Sequence, residues 1–336
     1  MTIGPQELVP APATAPSAAS LFASTPWLWG GFLLLILVLL ALDLFIFNRR
    51  SRDIKLREAA LAGGGWVALA ALFGAFVAWK LGPTKAAEFA TGYVVELSLS
   101  FDNLFVFLVL FRYFQVGPRE QHRVLFWGIL GALVLRALFI VAGTSLLSRF
   151  HWIGWLFGIF LVVTGSKLLW QSDEKHDPET SRVLKLARRL LPVTTTPHGG
   201  RFFLVEQGRR CATTLFLCLV TVEASDVVFA VDSIPAIFGV TLDPFVVYTS
   251  NVFAILGLRS FFALLALLID AFKYLNVALA LVLIFIGLKM LLAGMMKESL
   301  GLEIGTLTSL AIVVGLLGGG VIASLWRRAT PGDDAS

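Results

Sequence analysis

Apolar residues run along this chain in nine blocks of roughly twenty, the length of helix needed to cross the hydrocarbon of a bilayer, with polar residues gathered between them. The blocks predict helices over Trp27 to Phe47, Ala59 to Lys80, Glu88 to Phe111, Arg123 to Leu147 and His151 to Trp170. After a polar stretch follow Cys211 to Phe238, Phe245 to Leu268, Tyr274 to Ala293 and Glu303 to Trp326. The pattern predicts an all-α, polytopic membrane protein with about nine transmembrane helices. Its parts are a disordered tail (1–24), a transmembrane transporter domain (25–328), a cytoplasmic connecting segment (171–210) inside it, and a cytoplasmic tail (329–336). The first 24 residues are rich in Ala, Pro and Ser and lack the basic start and apolar core of a secretory signal.

Within the blocks three features recur in order. ELSLSFDN, from Glu96 to Asn103, and DVVFAVDS, from Asp226 to Ser233, each carry an acid, five residues, an aspartate and a small polar residue. The blocks after them carry Arg136 and Arg259, and the next carry Lys167 and Lys289. The unit is three helices, repeat one over 88–170 and repeat two over 211–293. Three is odd, so the second copy enters the membrane from the opposite side, an inverted 3+3 helix repeat of the kind secondary transporters use.

Composition agrees with the membrane reading, at 57% hydrophobic and 15% charged residues and a mean hydropathy of +0.85. The net charge of +5 points to no nucleic-acid partner, because the basic residues sit at the ends of apolar runs, where they set topology. With the N-terminus outside, nineteen Lys and Arg fall in cytoplasmic connections, against Lys80, Lys85, Arg149 and Lys297 on the other side. The chain is therefore expected in a bacterial inner (plasma) membrane, N-terminus outside and C-terminus cytoplasmic. Cys211 and Cys218, seven apart on one predicted helix, have neither zinc nor disulfide spacing and read as small apolar packing residues.

Charge inside the blocks carries the chemistry. An ionised side chain at mid-bilayer costs about 2.5–3.5 kcal/mol on insertion scales, and Glu96, Asp102, Glu223, Asp226 and Asp232 are five such groups. Arg136, Arg259, Lys167 and Lys289 are candidate structural ion-pair partners. The lysines stand near helix ends, where they can snorkel to the interface, whereas the arginines can hold carboxylates by two nitrogens. Even full pairing leaves one acid over. On a regular helix Glu96, Ser100 and Asn103 share a face, with Asp102 off it, and Glu223 and Asp232 point to opposite sides. Convergence then needs a local unwinding or several surrounding helices, and Pro235 marks a candidate break near Asp232. His122, His151, His176 and His198 all fall at block ends or in loops, so the donors are oxygens, which suit Mg, Ca or Mn. Of these, Mg is the hardest to dehydrate.

The motifs ELSLSFDNLFVF, VEASDVVFAVDSIPAIF, TSNVFAILGLRS and IFIGLKML resemble the TerC family of membrane proteins, most closely its Alx-type members, over Trp27 to Arg328. The resemblance implies an exporter of manganese or a related divalent cation. It implies a metal site on Glu96, Asp102 and Asn103 of the first motif and Glu223, Asp226 and Asp232 of the second.

Of the remaining features, Asp43 reads as an interfacial acid and Asp270 as a solvated one. SRVLKLARRLL in the connecting segment reads as a basic amphipathic helix that lies on anionic lipid or caps the inner vestibule. The GGG runs at 63–65 and 318–320 read as sites of close helix packing. No nucleophile, zinc motif or phosphate loop stands out, so an enzyme is not expected. The expected function is a secondary active exporter of Mn2+, proton-coupled, working by alternating access, with the ion as substrate and no prosthetic group. The alternatives are a calcium or broad divalent-cation carrier and a non-transporting membrane assembly or scaffold factor. The sequence assigns no oligomeric state.

Overall fold

The computed structural model describes residues 26–48, 56–150, 152–170, 193–194, 200–206, 209–268, 275–300 and 305–329. The tail at 1–24, the SRVLKLARRLL stretch, Asp270 and the Asp43 side chain lie outside the described residues.

Among the described residues the apolar blocks are occupied by long helices: α1 Pro26–Asn48, α2 Leu56–Leu81, α3 Pro83–Tyr113, α4 Pro118–Arg149, α5 Trp152–Trp170, α6 Thr214–Phe238, α7 Pro244–Leu268, α8 Leu275–Leu300 and α9 Thr306–Ala329. Seven of them are long and apolar enough to cross a membrane; α1 and α8 present shorter apolar stretches among the described residues. The protein is a polytopic helical membrane protein. Several starts are set locally: Pro83 and Pro118 open α3 and α4 at the first turn, where a missing N–H costs nothing. At α6 the Thr213 hydroxyl accepts the Phe216 N–H at 3.3 Å.

Burial separates the helices into an inner and an outer set. The apolar window of α7 is 94% buried, against 17% for those of α2 and α9. A helix apolar on all sides and buried on one is the form expected where lipid covers the rest. At the centre α3 packs on α7 and α4 on α6, while α5 packs on α8. Phe89 meets Phe253, Phe101 meets Phe261 and Phe111 meets Phe262, so α3 and α7 advance together and run parallel. Gly128 faces Val222, Gly131 faces Glu223 and Gly143 faces Phe238, so α4 and α6 run parallel as well. In contrast Gly158 faces Gly287 and Leu291 while Gly165 faces Ala280 and Ile284, which makes α5 and α8 antiparallel.

The α5–α8 contact depends on its glycines. A Cβ on Gly165 would stand 2.8 Å from the Ala280 carbonyl oxygen, and one on Gly287 would stand 2.7 Å from that of Gly158. Small residues let two backbones approach this closely in a membrane. Gly165→Val is expected to lower the melting midpoint in detergent by the equivalent of about 1–3 kcal/mol, the usual cost of overpacking. Gly154→Ala on the same helix, where the added methyl meets nothing within 4 Å, is the control and should melt like the parent. The GGG runs behave differently from the expectation. Gly63 touches Phe261, but Cβ atoms on Gly64, Gly65, Gly318 and Gly319 would meet nothing within 4 Å.

Two further differences from the sequence reading concern the connecting segment. Its described part forms a small sheet of β1 Val193–Thr194, β2 Phe203–Glu206 and β3 Arg209–Thr213, in the order β1-β3-β2. β3 pairs parallel to β1 and antiparallel to β2, with Phe203 opposite Ala212. Cys211 therefore lies on a strand and not on the helix of Cys218, and α6 starts at Thr214. The Arg123 guanidinium donates to the Gly200 carbonyl, tying this sheet region to the first turns of α4.

Candidate functional site: a buried arginine between two acids

Every helix in the central group contributes to one polar centre. On α3, Glu96, Ser100 and Asn103 follow at i, i+4 and i+7 and so share a face, and all three are buried. On α6, Asp226 and Ser233 are seven apart and share a face in the same way, both buried. The α6 helix is unbroken from Thr214 to Phe238 with Pro235 inside it. The break expected near Asp232 is absent: Pro235 forgoes its own N–H bond to the preceding turn, but only one turn of helix follows it, so the helix keeps its course through Asp232. Convergence comes from several helices surrounding one point.

That point is Arg136 of α4, 1% exposed. One of its terminal nitrogens, Nη1, contacts Glu96 Oε1, and the other, Nη2, lies 3.7 Å from Asp226 Oδ1. Nη1 also donates to Ser233 Oγ at 3.1 Å and to Asn251 Oδ1 on α7. Asn251 is held for this role: its Nδ2 donates to the Val247 carbonyl at 3.0 Å, which turns the amide oxygen toward the guanidinium. One planar cation thus joins α3, α4, α6 and α7. Arginine suits the place better than lysine, since its fork reaches several oxygens at once and its charge survives burial.

The centre is incompletely satisfied. Glu96 Oε2, Asp226 Oδ2 and Ser100 Oγ are buried without a hydrogen-bond partner among the described residues. Buried carboxylate oxygens left unpaired are costly, and each such group calls for an explanation. Beside Asp226 lies a cavity of about 10 Å³, bordered also by Glu223 and by Phe107, Leu125, Ile129 and Leu258. That is about the room one water occupies. The Glu223 carboxylate rests on the Cα of Gly131, in space that any side chain there would fill.

The structure brings together Glu96, Asp226 and Arg136, with Glu223 on the adjoining cavity. Asn103 is buried on the Glu96 face of α3. Asp102 and Asp232 lie within α3 and α6, but their side chains fall outside the described residues. Among the described residues no group of three acidic, histidine or cysteine side chains is arranged to hold a metal. The other basic candidates stand elsewhere. Lys167 is exposed on α5, Lys289 is half-buried with Glu88 nearby, and Arg259 is buried on α7 near His122.

Two contributors, Asn251 and Gly131, are not marked by the sequence, and Ser233, there only the small polar residue of the repeat motif, accepts from Arg136. Asn251 stands in TSNVF, an amide inside an apolar run, and that was the available signal. A second polar group also appears, about two turns before Glu96 on α3. Lys85 pairs with Glu88 at 2.8 Å and Asp243 at 3.2 Å, and Thr241 donates to Glu88 at 2.6 Å. Between the two centres Gly92 packs so closely on Ser250 that a Cβ would stand 2.8 Å from its hydroxyl.

The sequence matches the integral membrane protein TerC family over residues 81–331. It is 48% identical over 323 residues to the "Uncharacterized membrane protein STKORF319" of Myxococcus xanthus, covering 96% of this chain and 98% of that one. It is 43% identical to the "Putative membrane-bound redox modulator Alx" of Salmonella typhi, covering 86% and 94%. The protein of the same name in Escherichia coli K12 is 42% identical, covering 86% and 93%. No solved structure matches.

Proposed function

This chain belongs to the TerC family of integral membrane proteins, and from that premise we propose that it is a secondary active carrier exporting a divalent cation, Mn2+ first, in exchange for protons. The observation that carries the reading is the pair Glu96 and Asp226: two buried carboxylates on different helices share one arginine, and each keeps an oxygen with no partner among the described residues. Oxygen donors of this kind accept a hard divalent ion or a proton. The metal ligands would be drawn from Glu96, Asp102, Asn103, Glu223, Asp226 and Asp232.

Helix directions support alternating access about an inverted repeat. If α3, α4 and α5 correspond to α6, α7 and α8, a twofold axis in the membrane plane exchanges the α3–α7 contact with the α4–α6 contact. Both are parallel, as that exchange requires. The same axis sets α5 against α8 antiparallel, as found. It also relates Glu96 to Asp226, so the two counterpart acids meet on one cation. The N-terminus outside and C-terminus inside remain the orientation favoured by the basic residues. A redox role through paired thiols of the chain has less behind it, since Cys218 is wholly buried on α6 while Cys211 is part-exposed on β3.

The test is efflux of Mn2+ from loaded proteoliposomes, with Ca2+ and Mg2+ run alongside. Asp226→Asn, which leaves Arg136 to Glu96, is expected to slow Mn2+ efflux at least about tenfold, an order set by losing one charged ligand. Equal rates for Mn2+ and Ca2+ would point to a broad divalent carrier. Wild-type rates in both Asp102→Asn and Asp232→Asn would sink the acid-site reading and favour a scaffold role.

A further inference from the structure

We propose that Arg136 is the carrier's built-in substitute for its cargo: it holds Glu96 and Asp226 while the site is empty and yields them when a divalent cation arrives. The inference rests on the transport reading above and concerns the half of the cycle in which nothing is bound. A carrier that releases an ion inside the membrane is left with bare carboxylates, and such charges resist reorientation through a low-dielectric environment. Here Arg136 already offsets one of the two charges from within.

The geometry provides both ends of such an exchange. Arg136 reaches the two carboxylates with two different nitrogens, so a single cation spans both ligands, as a metal between them would. Its contact with Asp226, at 3.7 Å, is loose for a charged hydrogen bond. The guanidinium also has a second set of acceptors that carry no charge, Ser233 Oγ and Asn251 Oδ1. Asn251 is braced by Val247 and does not depend on the carboxylates for its position. A divalent ion on Glu96 and Asp226 repels the guanidinium, and Ser233 and Asn251 keep it solvated by the protein when it withdraws. The side chain is 1% exposed, so water cannot take their place.

A consequence follows for coupling. Arg136 offsets one of the two carboxylates, so the empty pair needs one proton rather than two to return neutral.

The substitution Arg136→Gln tests this, since glutamine still bonds to Ser233 and Asn251 but brings no charge. In metal-free detergent the variant is expected to melt below wild type, and Mn2+ is expected to raise its midpoint more than it raises that of wild type. In proteoliposomes the ratio of tracer Mn2+ exchange to net Mn2+ efflux is expected to rise at least about tenfold, because exchange uses only the loaded carrier; a bias of that size corresponds to about 1.4 kcal/mol. Arg136→Lys, which keeps the charge, should restore net efflux in part. If Arg136→Gln does not fold even with Mn2+, or if exchange and net efflux fall in proportion, Arg136 is a structural tie and the proposal is overturned. If the wild-type protein exchanges no Mn2+, the transport reading fails and this one falls with it.

Discussion

A chain carrying both Glu96→Gln and Asp226→Asn is expected to lose most of its folded protein, whereas each single change should lower stability only modestly. The asymmetry comes from counting charges around Arg136. Either single variant leaves the guanidinium one carboxylate, so a neutral pair remains. Among the described residues, the double variant leaves it the neutral oxygens of Ser233 and Asn251. Stranding a buried charge in this way costs about 3–5 kcal/mol, a large part of the roughly 5–15 kcal/mol that holds a protein folded. Adding Arg136→Met to the double variant removes the stranded charge and is expected to recover much of the folded yield, though not the transport. Melting midpoints of all four proteins by fluorescence-detected size exclusion decide the matter; strictly additive losses would show that the three side chains do not act as one unit.

The second large effect is expected at Gly131. The Glu223 carboxylate occupies the space of a Cβ there, so Gly131→Val must either expel the acid or push α4 away from α6. Overpacking of this kind costs about 1–3 kcal/mol where neighbours can adjust, and here the neighbour is a carboxylate that also borders the small cavity. We expect a clear drop in melting midpoint and at least a tenfold loss of Mn2+ efflux, about the effect of displacing one group by 1 Å at a reacting centre. Glu223→Ala alone should be mild in stability, and the pair Gly131→Val with Glu223→Ala should melt higher than Gly131→Val. If the second change gives no recovery, Glu223 is not what Gly131 makes room for.

The helices were legible because a run of some twenty apolar residues is a strong one-dimensional signal, and the acids were legible because charge inside such a run is expensive. Their arrangement was only half legible. Spacing along α3 predicted the common face of Glu96, Ser100 and Asn103, and burial agrees. Arg136 was one of four basic candidates, and choosing it requires tertiary contacts spanning 97 and 115 residues to Ser233 and Asn251, which no local pattern carries. Gly131 is invisible for the same reason: among many glycines in apolar context, only the placement of Glu223 marks it. The sheet around β3 was missed because strands of two to five residues are too short to show a period of two. Pro235 misled because its effect depends on distance to the helix end, and the end at Phe238 was not known from the residues alone.

The pairing of α3 with α7 and of α4 with α6 interlaces the two halves of the chain, and this bears on how the protein is made. Arg136 leaves the ribosome 115 residues ahead of Asn251; at about 5–20 residues per second that is a wait of several seconds or more. Glu96, already synthesised, is the acid it can meet during that interval. The pair can then enter the bilayer as a neutral unit and keep the first three-helix set from being read as too polar to insert. Biogenesis would thus depend on the same contact that the proposed transport cycle breaks, so variants at Glu96 should differ most from those at Asp226 in how much protein reaches the membrane, before any ion is offered to it.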